Sequence, residues 1–344
     1  MPEKKRKNDV IQVVLAVYDP KGNYSCFAGI VMTSLFSNTE SKINVTILHD
    51  ETLSRENRRH FEQTAARWEQ EVSFIDVSDH ISRVAVDPDS AASYFTRGAL
   101  FRLLLPDLMS IPKVIYLDCD IVVNLDIAEL WDVPLEAEEK SLAAVRQRLV
   151  FGERRVADFY MKIREWVIGY ATENYFNSGV LVMNLRCIRE KYPHFVSEAF
   201  RFPDRFAVCY SRLTEYFDQD FLNVFFGGDV LYIGKRFNEQ DECHEVNGAI
   251  LHYLGVNKPW KKPGGNSPRD AMFWEMFAKS EFTDRLAETV AALYRDKPLS
   301  EYPAWACAKS ALLRLPVVSW LSPQKISRLY SLMREILHRF GNSR

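Results

Sequence analysis

The chain has few cysteines, and none of them shows the spacing of a metal-binding or redox pair. The 344 residues contain no Cys-x-x-Cys motif. This scatter excludes a zinc-ribbon framework, and it favours reduced thiols in the cytoplasm over a disulfide-bonded secreted fold. The cysteines are Cys26, Cys119, Cys187, Cys209, Cys243 and Cys307.

Long apolar runs and an excess of one charge are also missing. No run reaches the ~20 apolar residues that span a membrane, and residues 1–9 are basic without an apolar signal core. The formal net charge is −2, which gives no reason to expect a nucleic-acid partner. We therefore expect a cytoplasmic protein with a flexible basic N-terminus over residues 1–9.

Apolar residues, by contrast, are plentiful at 47% of the chain, and they recur as alternating strand and helix patterns. The predicted strands are 11–18, 43–49, 72–77, 114–118, 142–145, 180–185, 230–233 and 250–253, and the predicted helices are 24–37, 55–68, 94–105, 186–200 and 221–226. Ser54 is the predicted N-cap of the second helix, and Pro106 is expected to end the third. This order predicts an α/β fold with a mostly parallel sheet flanked by helices.

Two acids follow one of the predicted buried strands. Asp118 and Asp120 end the apolar run that starts at Lys113. In an extended chain, residues two apart point to the same side, so both carboxylates are expected to converge on a cation at the carboxyl end of the strand. Ligands of open α/β sheets bind at that end.

Further polar residues stand beside predicted strand and helix ends. His252 ends a late apolar stretch and precedes Gly255 and Lys258, which suit close approach and charge neutralisation of a phosphate. Two carboxylates, one imidazole and diphosphate oxygens suit Mn²⁺, with Mg²⁺ as the alternative. Asn177 precedes a predicted strand, and Gln219 lies between Asp218 and Asp220 at a predicted helix start, where capping is the competing interpretation.

Six segments occur in a fixed order between Ile11 and Trp260, about three quarters of the chain. They are the first strand with Ala16 and Asp19 followed by Asn23-Tyr24, then Leu100-Phe101-Arg102-Leu103, the segment YLDCD ending at Asp120, YFNSGVLVMNL ending at Leu185, DQDFLN ending at Asn223, and HYLGVNKPW ending at Trp260. Together they resemble glycosyltransferase family 8. This family comprises retaining, nucleotide-sugar-dependent transferases and includes bacterial lipopolysaccharide galactosyl- and glucosyltransferases and glycogenin.

The resemblance implies a GT-A fold over residues 10–268, with a helical C-terminal region over 269–344. It implies a UDP-hexose donor, UDP-glucose or UDP-galactose, and a saccharide, lipid-linked or protein-linked glycan as acceptor. By position, the resemblance implies that the metal ligands are Asp118, Asp120 and His252. It implies that the donor is bound by Ala16, Asp19, Asn23, Tyr24, Arg102, Asp118, Cys119, Gly255 and Lys258. The residues expected around the transferred sugar are Asn177, Asp218 and Gln219.

The chain departs from the family pattern after the predicted strand 142–145. Some members have an aspartate there that touches the sugar or the acceptor, whereas this chain has Arg146-Gln147-Arg148. These residues favour an anionic acceptor, and a solvated basic loop is the alternative. The loop Tyr18 to Gly22 is longer than in compact bacterial members.

Retention of configuration leaves two mechanisms open. Asp218 is the nearby acid that could act as a nucleophile, whereas the amide of Gln219 is a poor one. We expect front-face substitution, in which the departing phosphate accepts the acceptor proton.

Two other functions remain as alternatives: a non-catalytic nucleotide-sugar-binding protein, and a phosphohydrolase that uses Asp118. Such a phosphohydrolase usually has a hydroxyl residue after its acid pair, whereas this chain has Ile121 and Val122 there.

Residues 322–340 form a predicted basic amphipathic helix. Its apolar face includes Leu329, Met333 and Leu337, and Lys325 and Arg334 lie on the remainder. Such a helix either lies on an anionic membrane surface or packs on the core. We therefore expect a cytoplasmic location, with peripheral attachment at the inner face of the membrane as an added prediction.

Overall fold

The structure is a computed structural model, and it describes residues 10–81, 97–147, 172–205, 217–241, 246–255, 258–261 and 267–285. The predicted flexible segment 1–9, Arg148 and the predicted amphipathic helix 322–340 lie outside the described residues.

Nine strands form two sheets in the described part of the chain. They are β1 Ile11–Val17, β2 Ile43–His49, β3 Glu71–Asp76, β4 Lys113–Leu117, β5 Ile121–Asn124, β6 Leu142–Arg146, β7 Phe176–Asn184, β8 Val230–Tyr232 and β9 Ala249–His252. The main sheet has the order β3-β2-β1-β4-β7-β6-β8. Strands β3, β2, β1 and β4 are parallel, β7 runs antiparallel to both of its neighbours, and β6 and β8 are parallel. The predicted mostly parallel mixed sheet is confirmed.

The second sheet was not predicted. It consists of β5 and β9, which pair antiparallel beside the main sheet. We predicted no strand directly after Asp120, where the chain leaves the main sheet. The late strand 250–253 was expected in the main sheet and belongs to this pair instead.

Strand β7 begins earlier than its apolar pattern indicated. We expected Asn177, Ser178 and Gly179 to precede a strand at 180–185, but β7 runs from Phe176 to Asn184 with every residue buried. The polar side chains are tolerated there because neighbouring groups satisfy their hydrogen bonds. Pattern reading missed them because buried strand positions are usually apolar.

The helices cover both faces of the main sheet. They are α1 Ser25–Ser37, α2 Arg55–Arg67, α3 Ser78–Ile81, α4 Arg97–Phe101, α5 Leu105–Leu108, α6 Ala128–Trp131, α7 Leu185–Lys191, α8 Phe195–Arg205, α9 Phe217–Phe226 and α10 Pro268–Lys279, with short 3₁₀ segments at 102–104, 172–174, 235–238, 259–261 and 283–285. Ser54 caps α2 by accepting from Asn57 N, as predicted.

Pro106 starts a helix instead of ending one. The predicted helix 94–105 is α4 followed by a 3₁₀ turn, and Pro106 lies in the first turn of α5. Proline is tolerated there because the first turn has no backbone acceptor for its missing N–H. Residues 94–96 lie outside the described part of the chain.

Two apolar clusters lie on opposite faces of the sheet. One joins α1, α2 and α10 through residues such as Phe61 and Phe277, and the other joins α4, α8 and α9 through Phe101 and Phe221. Helix α10 packs on α1 with Phe273 and Phe277 buried. The division at residue 268 into a catalytic domain and a C-terminal region stays a prediction.

Candidate active site

The two acids that follow β4 are brought together by a bend in the chain. Strand β4 ends at Leu117, and β5 begins at Ile121 in the separate sheet. We expected Asp118 and Asp120 to share one side of an extended segment, but the backbone turns between them. Their carboxylates converge because pairing of β5 with β9 holds the second acid beside the edge of the main sheet.

His252 joins the two acids because it is the last residue of β9. The strand register places it opposite Ile121, so the imidazole lies against Asp120. His252 Nε2 is 3.1 Å from Asp120 Oδ1. One potential ligand atom from each of Asp118, Asp120 and His252 lies within 4.8 Å of the other two. Oxygen and nitrogen donors in this number and spacing can hold one divalent metal ion.

Two cations offset the charge of the acid pair. Arg102 Nη2 donates to Asp118 Oδ1 at 2.7 Å, and Lys258 Nζ donates to Asp120 Oδ2 at 2.6 Å. Burial alone would raise the pKa of the Asp120 carboxyl, but Lys258 and His252 outweigh burial and hold that pKa well below its ordinary range. Asp120 is therefore an ionised oxygen donor at neutral pH.

A glycine keeps the space between the potential ligands open. A Cβ atom on Gly179 would lie 2.7 Å from Asp118 Oδ2 and 2.9 Å from His252 Nδ1, which is closer than carbon atoms approach these groups. The Gly179 carbonyl also accepts from Asp118 N at 2.8 Å. Donor set, charge and space together fit a divalent metal ion.

Arg102 connects the acid pair to Asp218. Arg102 is 4% exposed, and its Nε lies 3.2 Å from Asp218 Oδ2, while Nη1 donates to Ser178 O at 2.6 Å. Burial opposes the charge of Arg102, but Asp118 and then the other neighbouring groups raise its pKa above the ordinary value. Burial also raises the pKa of Asp218, against the effect of Arg102.

The residues expected around the transferred sugar lie side by side at this edge. Gln219, in the first turn of α9, accepts through Oε1 from Ser178 N at 2.9 Å and donates through Nε2 to Tyr175 OH at 3.0 Å. Asn177 Nδ2 donates to Gln147 Oε1 at 2.9 Å. Protein hydrogen bonds therefore hold both amides, and each side chain is almost fully buried.

Asp19 shapes the loop after β1. Its carboxylate is 1% exposed and accepts from Tyr24 N at 2.7 Å, from Ser25 N at 3.0 Å, from Ser25 Oγ at 2.6 Å and from Asn57 Nδ2 at 3.0 Å. The acid thus caps the start of α1 and ties the loop to α2. Contact between Asp19 and a nucleotide stays a prediction.

The other residues predicted at the nucleotide end flank this loop. Cys119 Sγ donates to Ala16 O at 3.3 Å, and burial raises the pKa of the Cys119 thiol well above its ordinary value. Burial, and then the charges of Cys119 and Asp120, raise the pKa of the Tyr24 hydroxyl well above its ordinary value. Asn23 is exposed at the loop tip.

The loop after β9 closes the site from the other side. Gly255 adopts φ +61°, a left-handed conformation that glycine accepts without strain. Lys258 follows, and Trp260 stacks on Phe27 of α1 with ring centroids 4.2 Å apart. The indole also lies 4.9 Å from the ring of Phe273 in α10. Aromatic packing therefore fixes the part of this loop that carries Lys258.

Arg146 stands at the rim of the site near the predicted acceptor side. Its Nε donates to Glu173 O at 3.2 Å, and its guanidinium lies 4.0 Å from the centroid of the Tyr232 ring. These contacts hold a positive charge at an exposed position. The expected anionic acceptor stays a prediction.

Two residues of the site were not predicted from the sequence. Tyr116 OH donates to Asp118 Oδ1 at 2.9 Å, and Asn238 Oδ1 lies 2.9 Å from His252 Nδ1. Strand periodicity could have identified Tyr116, which lies two residues before Asp118 at the end of β4. Asn238 had no local signal, because it lies in a 3₁₀ turn and meets His252 only in the folded chain.

The described helices include none that is long and apolar enough to cross a membrane. Peripheral attachment through residues 322–340 remains a prediction, since that segment lies outside the described residues.

The chain is similar to known proteins over most of its length. The sequence model of the family described as Glycosyl transferase family 8 matches residues 16–264, well over half of the chain. General stress protein A of Bacillus subtilis (strain 168) is 27% identical over 300 residues, covering 79% of this chain and 94% of that protein. Lipopolysaccharide 1,3-galactosyltransferase of Salmonella typhimurium (strain LT2) is 25% identical over 184 residues, covering 49% of this chain and 51% of that protein.

A solved structure shows the same architecture. The galactosyltransferase LgtC, in complex with donor and acceptor sugar analogs, aligns with a TM-score of 0.61 at 24% identity, covering 78% of this chain and 96% of that one. This likeness confirms the predicted GT-A-like α/β fold.

Proposed function

Because this chain belongs to glycosyltransferase family 8, and is therefore a glycosyltransferase, we propose that it transfers a hexose from a UDP-sugar to a saccharide acceptor with the help of a divalent metal ion. The observation that carries this proposal is the cluster of Asp118, Asp120 and His252 at the carboxyl edge of the sheet. Lys258 and Arg102 beside it supply the positive charge that a diphosphate requires.

The metal would be held by Asp118, Asp120 and His252. Their mixed oxygen and nitrogen donors favour Mn²⁺, with Mg²⁺ as the alternative. When bound, such an ion neutralises charge that develops on a departing diphosphate.

The chain's own residues bind and orient the donor around that position. Lys258 is ion-paired with Asp120. Its ammonium group can turn to a phosphate once another cation binds the Asp120 carboxylate. Arg102 keeps Asp118 in place through a short hydrogen bond. The proposed binding site for the uridine group is formed by Tyr24 and Ala16, with Asn23, Asp19 and Cys119 nearby. Gly255 allows the backbone to approach the diphosphate.

Asn177, Asp218 and Gln219 are the proposed contacts of the transferred hexose, glucose or galactose. Asp218 is ion-paired with Arg102 and accepts from Ser178 Oγ at 3.3 Å, so it is poorly placed for nucleophilic attack. This favours front-face substitution, in which the leaving phosphate accepts the acceptor proton. Gln219 supports developing charge with an amide that the protein already orients.

The proposed acceptor is a sugar of a surface polysaccharide or glycoconjugate, either lipid-linked or protein-linked. The similarity to a lipopolysaccharide galactosyltransferase supports this class. We propose a cytoplasmic location, with attachment through residues 322–340 to an anionic membrane surface where the acceptor is lipid-linked.

UDP release by the purified chain tests the proposal. The assay offers UDP-glucose, UDP-galactose and their N-acetyl forms with Mn²⁺, and runs Asp120→Ala in parallel. Slow metal-dependent hydrolysis of one donor, absent in the variant, would support the proposal and identify the sugar. If no donor is hydrolysed and calorimetry finds no Mn²⁺-dependent UDP binding, the proposed donor site is wrong.

A further inference from the structure

Three side-chain amides link the sugar side of the site to the imidazole. These residues, Gln147, Asn177 and Asn238, form what we call the amide chain. Asn177 Nδ2 donates to Gln147 Oε1 at 2.9 Å, and Asn238 Nδ2 donates to Asn177 Oδ1 at 2.8 Å. Asn238 Oδ1 then lies 2.9 Å from His252 Nδ1. The chain therefore ends on the nitrogen of His252 that faces away from Asp120.

A single backbone group sets the direction of the amide chain. Gly179 N donates to Asn177 Oδ1 at 2.9 Å, and a backbone N–H is only a donor. The Asn177 atom that it meets must therefore be the oxygen. That oxygen in turn requires the NH₂ group of Asn238, which leaves the Asn238 oxygen to face His252.

The orientation of Asn238 determines which nitrogen of the imidazole is protonated. Asn238 Oδ1 only accepts, so His252 Nδ1 must carry a proton, and in the neutral ring Nε2 carries the lone pair. Nε2 faces Asp120 Oδ1, so without a metal this carboxylate competes with Asn238 for the single proton of a neutral ring. We infer that Asn238 is a positioning residue that fixes the tautomer and orientation of His252, so that Nε2 is ready to bind the metal of the proposed function, on which this inference rests.

The backbone holds Asn238 and His252 at a fixed separation. Asn238 is 1% exposed. The next residue, Glu239, donates from N to Ile250 O at 2.7 Å and accepts at O from His252 N at 3.0 Å. Arg269, in the first turn of α10, donates to the carbonyls of both Glu239 and His252, at 3.2 Å and 2.8 Å. The ring and its partner are therefore held as one unit, as expected of a metal-binding histidine and its hydrogen-bond acceptor.

Mn²⁺ binding in the presence of UDP tests the inference. The variant Asn238→Leu keeps the approximate volume but removes both hydrogen bonds. We expect its dissociation constant for Mn²⁺ to rise by about 10–100-fold, the usual loss when the partner of a metal-binding histidine is removed. Free Mn²⁺ is measured by electron paramagnetic resonance on the full chain.

Two further variants separate positioning from general stability. Asn184→Leu also removes a buried asparagine of β7, one that caps α7 far from the acid pair. It should lower the melting temperature comparably and leave the Mn²⁺ dissociation constant unchanged. Asn238→Asp keeps an acceptor for the Nδ1 proton but loses the donor to Asn177 Oδ1, so it should recover part of the affinity that Asn238→Leu loses. Equal Mn²⁺ affinity of wild type and Asn238→Leu would overturn the inference.

The tautomer of the neutral ring can be read without any metal once the competing carboxylate is removed. Long-range ¹H–¹⁵N spectra of the histidine-labelled Asp120→Ala apoprotein, with His252→Gln for assignment, report which nitrogen carries the proton of the neutral ring. We expect Nδ1–H in Asp120→Ala, because Asn238 Oδ1 is the acceptor that faces this nitrogen. When Asn238→Leu is added, we expect the proton to move to Nε2, because Nδ1 then loses that acceptor.

The two readouts distinguish failure of the inference from failure of the proposed function. A neutral ring protonated at Nε2 in Asp120→Ala would overturn the inference even if Mn²⁺ binds to the wild type. Absence of Mn²⁺ binding by the wild type would instead contradict the proposed function, and an Nδ1–H ring would still support the assignment of the tautomer to Asn238.

Discussion

Two buried acids at one edge of the sheet, Asp19 and Asp120, differ in what holds them. Asp19 follows β1, and Asp120 follows the neighbouring strand β4 after a bend. Asp19 is 1% exposed, and the side chain of Asp120 is 16% exposed. By position and burial alone, both qualify as ligand-binding acids.

Their hydrogen-bond donors set them apart. Two of the four donors to Asp19 are backbone N–H groups at the start of α1, and the others are short neutral side chains. Asp120 is instead held by an ammonium group and an imidazole. Backbone donors cannot leave without unfolding the helix start, whereas the Lys258 side chain is flexible. The acid whose partners can be exchanged is the one suited to a ligand.

Removing the charge of Asp120 should have the largest effect on activity. Asp120→Asn takes away a proposed anionic ligand, and we expect UDP release to fall by about a thousandfold, since a catalytic metal supplies several kcal/mol. We expect Mn²⁺ and UDP to raise the melting temperature of the wild type but not that of the variant. Donor hydrolysis and thermal unfolding measure the two effects.

The matching control is the metal-free protein. Without Mn²⁺, Asp120→Asn should be closer to the wild type in stability than Asp19→Asn is. If the metal-free variant instead unfolds as readily as Asp19→Asn, both acids are structural and the contrast between them fails.

A methyl group at Gly179 tests whether the site needs open space. In Gly179→Ala the added carbon meets His252 and Asp118, so we expect Mn²⁺ affinity to be lost and stability to fall by about 1–3 kcal/mol from overpacking. Gly234→Ala is the control, because a Cβ there meets nothing within 4 Å. Normal Mn²⁺ affinity in Gly179→Ala would show that the ligands lie elsewhere.

Asp19→Asn should act on stability more than on the metal. The amide replaces one acceptor oxygen with a donor, so at least one buried N–H loses its partner, at about 2 kcal/mol. Unfolding in urea measures this loss. Asp126→Asn changes an exposed acid that accepts from Ala128 N, and it should cost less.

The opposite result would favour direct nucleotide contact by Asp19. If Asp19→Asn keeps its stability but no longer binds UDP, the acid contacts the nucleotide as the sequence predicted, and the distinction by donor type is wrong.

The sequence predicted the sheet well because most of its strands are buried on both faces. The alternating segment Ile43 to His49 matches β2 residue for residue. The prediction failed where tertiary contacts set the local structure. β5 exists only because β9 pairs with it, and Pro106 begins a helix instead of ending one.

The candidate site was predictable as a set of residues and not as an arrangement. Aspartate and histidine are common metal ligands, so Asp118, Asp120 and His252 could be identified from the sequence. The fold brings these three residues together. Asn238 carries no such signal, because an asparagine in a turn is ordinary until its partner is known. The structural role of Asp19 was likewise hidden, since its contact with Asn57 joins residues far apart in sequence.

A third acid, Asp229, extends the comparison with the smallest expected effect. It accepts from Ser141 Oγ at 2.5 Å and from Tyr192 OH at 2.9 Å, and it pairs with Lys191 at 3.3 Å. Burial raises the pKa of Asp229, but Ser141, Tyr192 and Lys191 outweigh burial and lower that pKa below its ordinary value. Asp229→Asn should therefore cost about 1 kcal/mol at neutral pH and leave the Mn²⁺ response intact.

The effect of Asp229→Asn on the free energy of unfolding should depend on pH. Because the pKa of Asp229 is lower in the folded state, its stabilisation is complete above the unfolded pKa of about 3.9 and is lost as the pH falls through the folded pKa. The stability difference between wild type and Asp229→Asn should thus be constant near neutrality and shrink below about pH 4, as urea unfolding at a series of pH values would measure. A difference that persists below the folded pKa would mean that the asparagine disturbs packing and that Asp229 does not stabilise the fold through its charge.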